Sequence, residues 1–157
     1  MATAFYPGSF DPFTNGHLYV VKIASKLFDK VYIGIGRNPR KSRFHSAPMA
    51  SLIKKTLELE GISNCEIVSY DNLTIEKAEE LNCDCIIRGI RNHADYEYEL
   101  EINDANRYLN ATIPTVFLPA VYNISSTMVR GLIENKFSIK RFVPAPIADY
   151  YGGEHNV

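Results

Sequence analysis

Four short segments of this chain carry residues suited to gripping phosphate. The first is Tyr6-Pro7-Gly8-Ser9-Phe10-Asp11-Pro12-Phe13-Thr14-Asn15-Gly16-His17. Its glycines let backbone approach a ligand closely, Ser9 offers a hydroxyl, and His17 falls where a helix would begin, with free N–H groups and a dipole that attract anions. An ordinary turn with a helix-start histidine would read the same way. In the second segment Arg37, Arg40, Lys41 and Arg43 cluster around Pro39. That makes a basic loop able to neutralise a polyphosphate, or else a solvated run of charge. The third, Arg88-Gly89-Ile90-Arg91, sets two guanidinium groups about a glycine. Their planar forks suit phosphate oxygens, and ion pairs with Asp95 or Glu99 are the plainer use. The fourth, Ile124-Ser125-Ser126-Thr127, precedes a helical pattern, so hydroxyls and free N–H groups would converge on an anion or simply cap the helix.

Elements must bring these segments together. Short apolar runs at Ala4 to Tyr6, Val31 to Gly36, Glu66 to Ser69, Cys85 to Ile87 and Thr115 to Leu118 predict five strands. Between them, Val20, Val21, Ala24, Leu27 and Phe28 lie at helical spacing in a helix beginning near His17. Ser46 with Pro48 opens a second helix, running through Leu52, Ile53 and Leu57 to a stop at Gly61. Further helices are predicted at Thr74 to Asn82, Ala94 to Leu109 and Ser126 to Glu134. The alternation implies an α/β fold of Rossmann-like kind, a five-stranded parallel sheet with helices on both faces. Ligands are then expected beyond the carboxyl ends of the strands, where the winding reverses. Each of the four segments follows a strand, so all four arrive at one edge of the sheet. Coincidence would have to repeat four times to produce that.

Composition narrows the function. A length of 157 residues suits a single domain, expected to span 1–157. Seventeen basic and eighteen acidic residues leave a net charge of −1, too little to hold a nucleic acid across a broad surface. No run approaches the length that spans a bilayer and the start lacks a basic lead, so a cytoplasmic protein without membrane contact is expected. Cys65, Cys83 and Cys85 are odd in number and lie in or beside strand-like segments, which suits reduced thiols. The Cys83-Asp84-Cys85 spacing is too tight for a zinc hook, and no protein metal ligands are expected.

Thr14-Asn15-Gly16-His17 carries the T/H-x-G-H signature of the nucleotidyltransferase superfamily. Three longer stretches make the chain resemble one branch of it, the bacterial phosphopantetheine adenylyltransferase family. These are Tyr6 to Pro12, Ile87 to Arg91, and Ala94 to Glu99 followed by Asn106-Arg107, and the similarity runs from Ala4 to Arg130. The resemblance implies that His17, Lys41 and Arg88 are catalytic, His17 steadying the transition state. It implies nucleotide contacts at Ser9, Phe10, His17, Gly89, Arg91, Tyr98, Glu99, Ile124, Ser125, Ser126 and Thr127. Acceptor contacts are implied at Ser9, Lys41, Leu73, Thr74, Arg88 and Asn106. The family usually has threonine where Ser9 stands, and serine keeps the hydroxyl. ATP and 4'-phosphopantetheine as substrates, Mg²⁺ as cofactor, a homohexamer and feedback binding of coenzyme A are further implications. Two other readings compete. A cytidylyltransferase acting on glycerol phosphate would share the signature, but the Arg88 to Arg91 and Tyr98 segments disfavour it. A non-catalytic nucleotide-binding module would have little use for His17, Lys41 and Arg88 together.

Overall fold

The computed structural model describes residues 1–37, 47–109 and 112–152, apart from the side chains at 106, 107 and 109. The predicted contributions of Lys41, the rest of the basic loop after Arg37, and the Asn106 side chain therefore lie outside the described residues.

The strands are β1 (Thr3–Gly8), β2 (Lys30–Gly36), β3 (Cys65–Tyr70), β4 (Cys85–Ile90) and β5 (Thr115–Pro119), joined in one parallel sheet ordered β3-β2-β1-β4-β5. The helices are α1 (Asn15–Leu27), α2 (Met49–Leu59), α3 (Thr74–Glu80), α4 (His93–Leu109), α5 (Ser126–Glu134) and α6 (Ala145–Gly152). Side chains alternate between the two faces of the strands, and both faces are covered. Ala4 and Tyr6 of β1, Val31, Ile33 and Ile35 of β2, and Cys85 and Ile87 of β4 join one core with α1, α2, α5 and α6. Phe5, Tyr32, Val68 and Ile86 point the other way, into a smaller core with Ile75 and Ala78 of α3. This double burial is why β1, β2 and the first half of β4 read as apolar runs. Among the described residues no helix is long and apolar enough to cross a membrane.

Several boundaries differ from those the sequence predicts. β4 continues through Ile90, so Arg88 and Gly89 lie within the strand rather than after it, paired in register with Phe117 and Leu118 of β5. Pro7 and Gly8 likewise belong to β1, opposite Gly34 and Ile35. In α1 the buried side is Gly16, Leu18, Val20, Val21 and Ala24, whereas Leu27 is 61% exposed. Met49 starts α2 after Pro48 as the capping residue, and Ser46, predicted to open the helix with it, lies outside the described residues. α3 ends at Glu80, and Asn82, predicted to close that helix, adopts the left-handed conformation. α6 is not predicted at all. It buries Ile147, Ala148 and Tyr151 and packs against α2.

One feature of the ladder positions the site. β1 pairs with β4 only at Ala4–Cys85 and Phe5–Ile86, then each strand continues with its outer neighbour alone. The central strands therefore part toward their carboxyl ends. The cleft opens at the reversal of winding where doubly wound sheets bind ligands.

Candidate active site

The cleft has a volume of about 400 Å³ and is lined by the β1–α1 turn, the end of β4, the start of α4 and the start of α5. Of the residues for which the resemblance implies nucleotide contacts, Ser9, Phe10, His17, Gly89, Arg91, Tyr98, Glu99, Ile124, Ser125, Ser126 and Thr127 line it, and Arg88 does too. Beside it lies a recess of about 140 Å³ lined by Leu73 and Thr74, for which acceptor contacts are implied, with Ile102, Asn103 and Thr115. Arg88 and Glu99 line both spaces and form the wall between them.

The β1–α1 turn is held by an aromatic group. Gly8 has no room for a side chain, because an added Cβ would sit 2.9 Å from the Phe10 ring. Phe10 itself takes a left-handed φ of 46°, a conformation that costs a bulky non-glycine residue free energy. Its ring is fully buried, edge-on to His17 at 4.9 Å between centroids, with Phe13 on another side of the imidazole at 5.5 Å.

Those contacts, and the first turn of α1, fix the state of His17. Thr14 caps the helix, its hydroxyl accepting from the His17 backbone N–H, while His17 Nδ1 accepts the Thr14 backbone N–H at 2.9 Å. A backbone amide can only donate, so Nδ1 must carry a lone pair and the ring proton belongs on Nε2. Burial, and then the positive charge of Arg91, lower the His17 pKa from 6.5 to about 4. The residue is thus a neutral imidazole presenting one N–H, not a cation.

The two arginines differ in what they have left to give. Arg91 donates from Nε and Nη2 to both carboxylate oxygens of Asp95, at 2.9 and 3.1 Å, and from Nη1 to the Ile124 carbonyl at 3.3 Å. The Arg91 bonds hold Asp95 below the usual carboxylate range. Arg91 thereby ties α4 to the connector before α5, and the plain ion-pair use holds for it. Arg88 donates to Glu99 through Nε alone, at 2.6 Å. Among the described residues its two terminal nitrogens have no partner, which leaves a forked edge for a phosphate between the cleft and the recess.

At α5 the hydroxyls have partners within the protein. Ser125 Oγ accepts the Met128 N–H, Ser126 Oγ donates to the Pro12 carbonyl at 2.8 Å, and Thr127 Oγ1 accepts from Arg130. The Ser126 hydroxyl binds the α5 start to the β1–α1 turn, and the helix N-terminus still faces the cleft with its positive end. Arg130 is a lining residue that sequence reasoning missed. It donates to the Asp11 carbonyl at 2.6 Å and to Thr127. Its spacing of three from Thr127 on a helix was the available signal. None of the three thiols lines the cleft, and burial raises Cys65, Cys83 and Cys85 to about 11, so a cysteine nucleophile does not operate here. The arrangement positions and neutralises phosphate groups. It offers an imidazole donor, a free guanidinium edge and a helix start.

Comparison with known proteins places this geometry. Residues 5–132 match the cytidylyltransferase-like family model. A crystal structure from Vibrio parahaemolyticus, provisionally assigned as a nicotinate-nucleotide adenylyltransferase, shares the fold with a TM-score of 0.71 at 20% identity, covering 96% of this chain and 98% of that one. Fold and site thus define a nucleotidyltransferase of the cytidylyltransferase-like class.

Nearer relatives narrow the class. A phosphopantetheine adenylyltransferase of Vesicomyosocius okutanii is 41% identical over 147 residues, with 92% of each chain covered. One from Campylobacter jejuni is 37% identical, covering 94% of this chain and 95% of its own, and one from Histophilus somni is 34% identical, covering 94% of each. The chain belongs to the phosphopantetheine adenylyltransferase family.

Proposed function

We propose that this chain transfers the adenylyl group of ATP to 4'-phosphopantetheine, forming dephospho-CoA and pyrophosphate in coenzyme A biosynthesis. Arg88 carries the reading. It is the one wall residue, with Glu99, common to a cleft of nucleotide size and to a narrower, more apolar recess, and its free edge faces the junction. An acceptor phosphate held there brings its oxygen toward the α-phosphorus of a nucleotide in the cleft. The oxygen bonds to that phosphorus while the bond to the bridging oxygen of the β-phosphate breaks, and the electron pair leaves with pyrophosphate. A phosphate monoester, with a second pKa of about 6, is already an anion at neutral pH, so no general base is required. Positioning and charge neutralisation then supply the catalysis.

In this reading His17 donates from Nε2 to an α-phosphate oxygen as charge builds, Lys41 and Ser9 serve the transferring phosphate, and Leu73, Thr74 and Asn106 receive the pantetheine arm. The cleft carboxylates Asp95 and Glu99 are committed to arginines, and among the described residues no three His, Cys, Asp or Glu side chains converge on one point. Mg²⁺ bound with the polyphosphate would supply charge neutralisation there without a dedicated protein cage. The proposal extends to a cytoplasmic homohexamer with feedback binding of coenzyme A. Exposed apolar side chains at Tyr108, Val121 and Phe137 give an assembly apolar surface to cover.

The test is pyrophosphate release from purified protein with Mg²⁺, comparing ATP and CTP as donors, and phosphopantetheine and glycerol 3-phosphate as acceptors. Release with ATP and phosphopantetheine alone is expected. Release with CTP and glycerol 3-phosphate would retain the class and overturn the substrate, and silence throughout would point to a binding module.

A further inference from the structure

Tyr6 sits on the wall of the cleft and takes no part in the chemistry described so far. Its ring is only 4% exposed and meets Phe10 edge-on, with centroids 5.3 Å apart. Phe10 meets His17 in the same manner, so the tyrosine and the histidine flank one ring. Both line the cleft.

The hydroxyl is the unexplained part. Among the described residues Tyr6 Oη has no hydrogen-bond partner, yet it is not one of the polar atoms sealed from solvent. Its neighbour across the parted strands is Gly89, where an added Cβ would come 3.7 Å from Oη. No side-chain oxygen there competes for the proton. A phenol on a cleft wall keeps its hydroxyl where water or a ligand can take its hydrogen bond, whereas a phenylalanine would pack the ring equally well without it. Packing alone therefore accounts for the ring and not for the oxygen.

We propose that Tyr6 Oη is a further binding group of this site, donating a hydrogen bond to a phosphate oxygen of the nucleotide on the His17 side of the cleft. This rests on the adenylyl-transfer reading. Two features favour phosphate. The neighbouring imidazole offers a donor to the same region, and Arg88 lies close enough for its charge to bear on the phenol. Burial outweighs that charge and holds the phenol above its usual range, so it remains a donor throughout the working pH. Sequence reading takes Tyr6 for a core strand residue, which its ring is.

Tyr6→Phe deletes the oxygen and keeps the ring. Binding of ATP, inorganic tripolyphosphate and adenosine is measured by calorimetry for both proteins, alongside steady-state kinetics and thermal unfolding. A hydrogen bond to a charged group leads to an expected loss of about 10- to 100-fold in affinity for ATP and for tripolyphosphate. Adenosine binding, the KM for phosphopantetheine and the melting temperature stay near wild type. ATP and tripolyphosphate affinities within twofold of wild type would overturn the proposal, and so would a loss confined to adenosine. Should Tyr6→Phe fail to fold, Tyr6→Met removes the oxygen with similar apolar volume and carries the same comparison. The underlying reading fails separately, if wild-type protein does not turn over ATP with phosphopantetheine. The tripolyphosphate arm tests Tyr6 even then.

Discussion

A neutral His17 has a consequence that can be measured without substrate. In the folded protein its Nδ1 is occupied by the Thr14 amide, and its pKa falls from 6.5 to about 4 through burial and then the Arg91 charge. In the unfolded chain the residue titrates normally. Between those values the unfolded state binds the extra proton, so stability rises with pH across that window and is complete above it. Acidification therefore removes stability starting near 6.5 and ending near 4. At about 1.4 kcal/mol per pH unit, the interval corresponds to roughly 3 kcal/mol. The perturbation is His17→Gln, which removes the titration and leaves every other group in place. Urea unfolding of wild type and variant is followed from neutral pH down to pH 4, and the difference in stability between the two is plotted. The difference is expected to be flat at neutral pH and to move by roughly 3 kcal/mol against wild type on acidification. Histidine ¹⁵N shifts give an independent view, with the proton on Nε2. A stability difference that does not change with pH, or a His17 midpoint at or above 6.5, would refute the reasoning. Turnover is a poorer readout, since the acceptor phosphate titrates at about pH 6 and adds its own acid limb.

Two further outcomes separate positioning from packing. Asp95→Asn removes the charge that holds the Arg91 fork and so loosens the link to the Ile124 carbonyl. The pair is partly solvated, so about 1 kcal/mol is at stake, read as a roughly fivefold rise in KM for ATP with kcat and the KM for phosphopantetheine unchanged. An unchanged KM for ATP would mean that Arg91 keeps its place without the carboxylate. Ile147→Ala hollows the contact of α6 with the main core, where Ile147 is fully buried. A cost of about 3 kcal/mol, or a fall of roughly 10 °C in Tm, is expected, with normal activity well below the transition. A Tm within a degree or two of wild type would show that α6 is not integral to the core.

The physics that made parts of this site legible also hid others. The central strands were readable because burial on both faces turns a parallel strand into an apolar run, as in Val31 to Ile35. Their ends were not, because β4 is carried past its apolar run by backbone pairing with β5, and a ladder bond does not depend on the side chains of Arg88 or Gly89. α6 has two prolines at its start, Pro144 and Pro146, and no helix is predicted there. In the structure Pro146 falls in the first helical turn, where a missing N–H costs nothing. The phosphate-binding types were visible as a cluster, since few other uses gather arginine, serine, glycine and histidine after successive strands. What spacing could not assign was the remaining hydrogen-bond capacity of each group. Arg88 and Arg91 look equivalent in sequence, and only the partners decide between them. One carboxylate takes a single nitrogen of the first, while a carboxylate and a carbonyl take three of the second. Tyr6 and Arg130 were passed over for the converse reason. An aromatic in a strand and an arginine in a helix have ordinary structural uses, and only the parting of β1 from β4 turns those positions toward a shared cleft. The residue types indicate which chemistry the chain can perform. The accounting of donors and acceptors in three dimensions indicates which atoms are free to perform it.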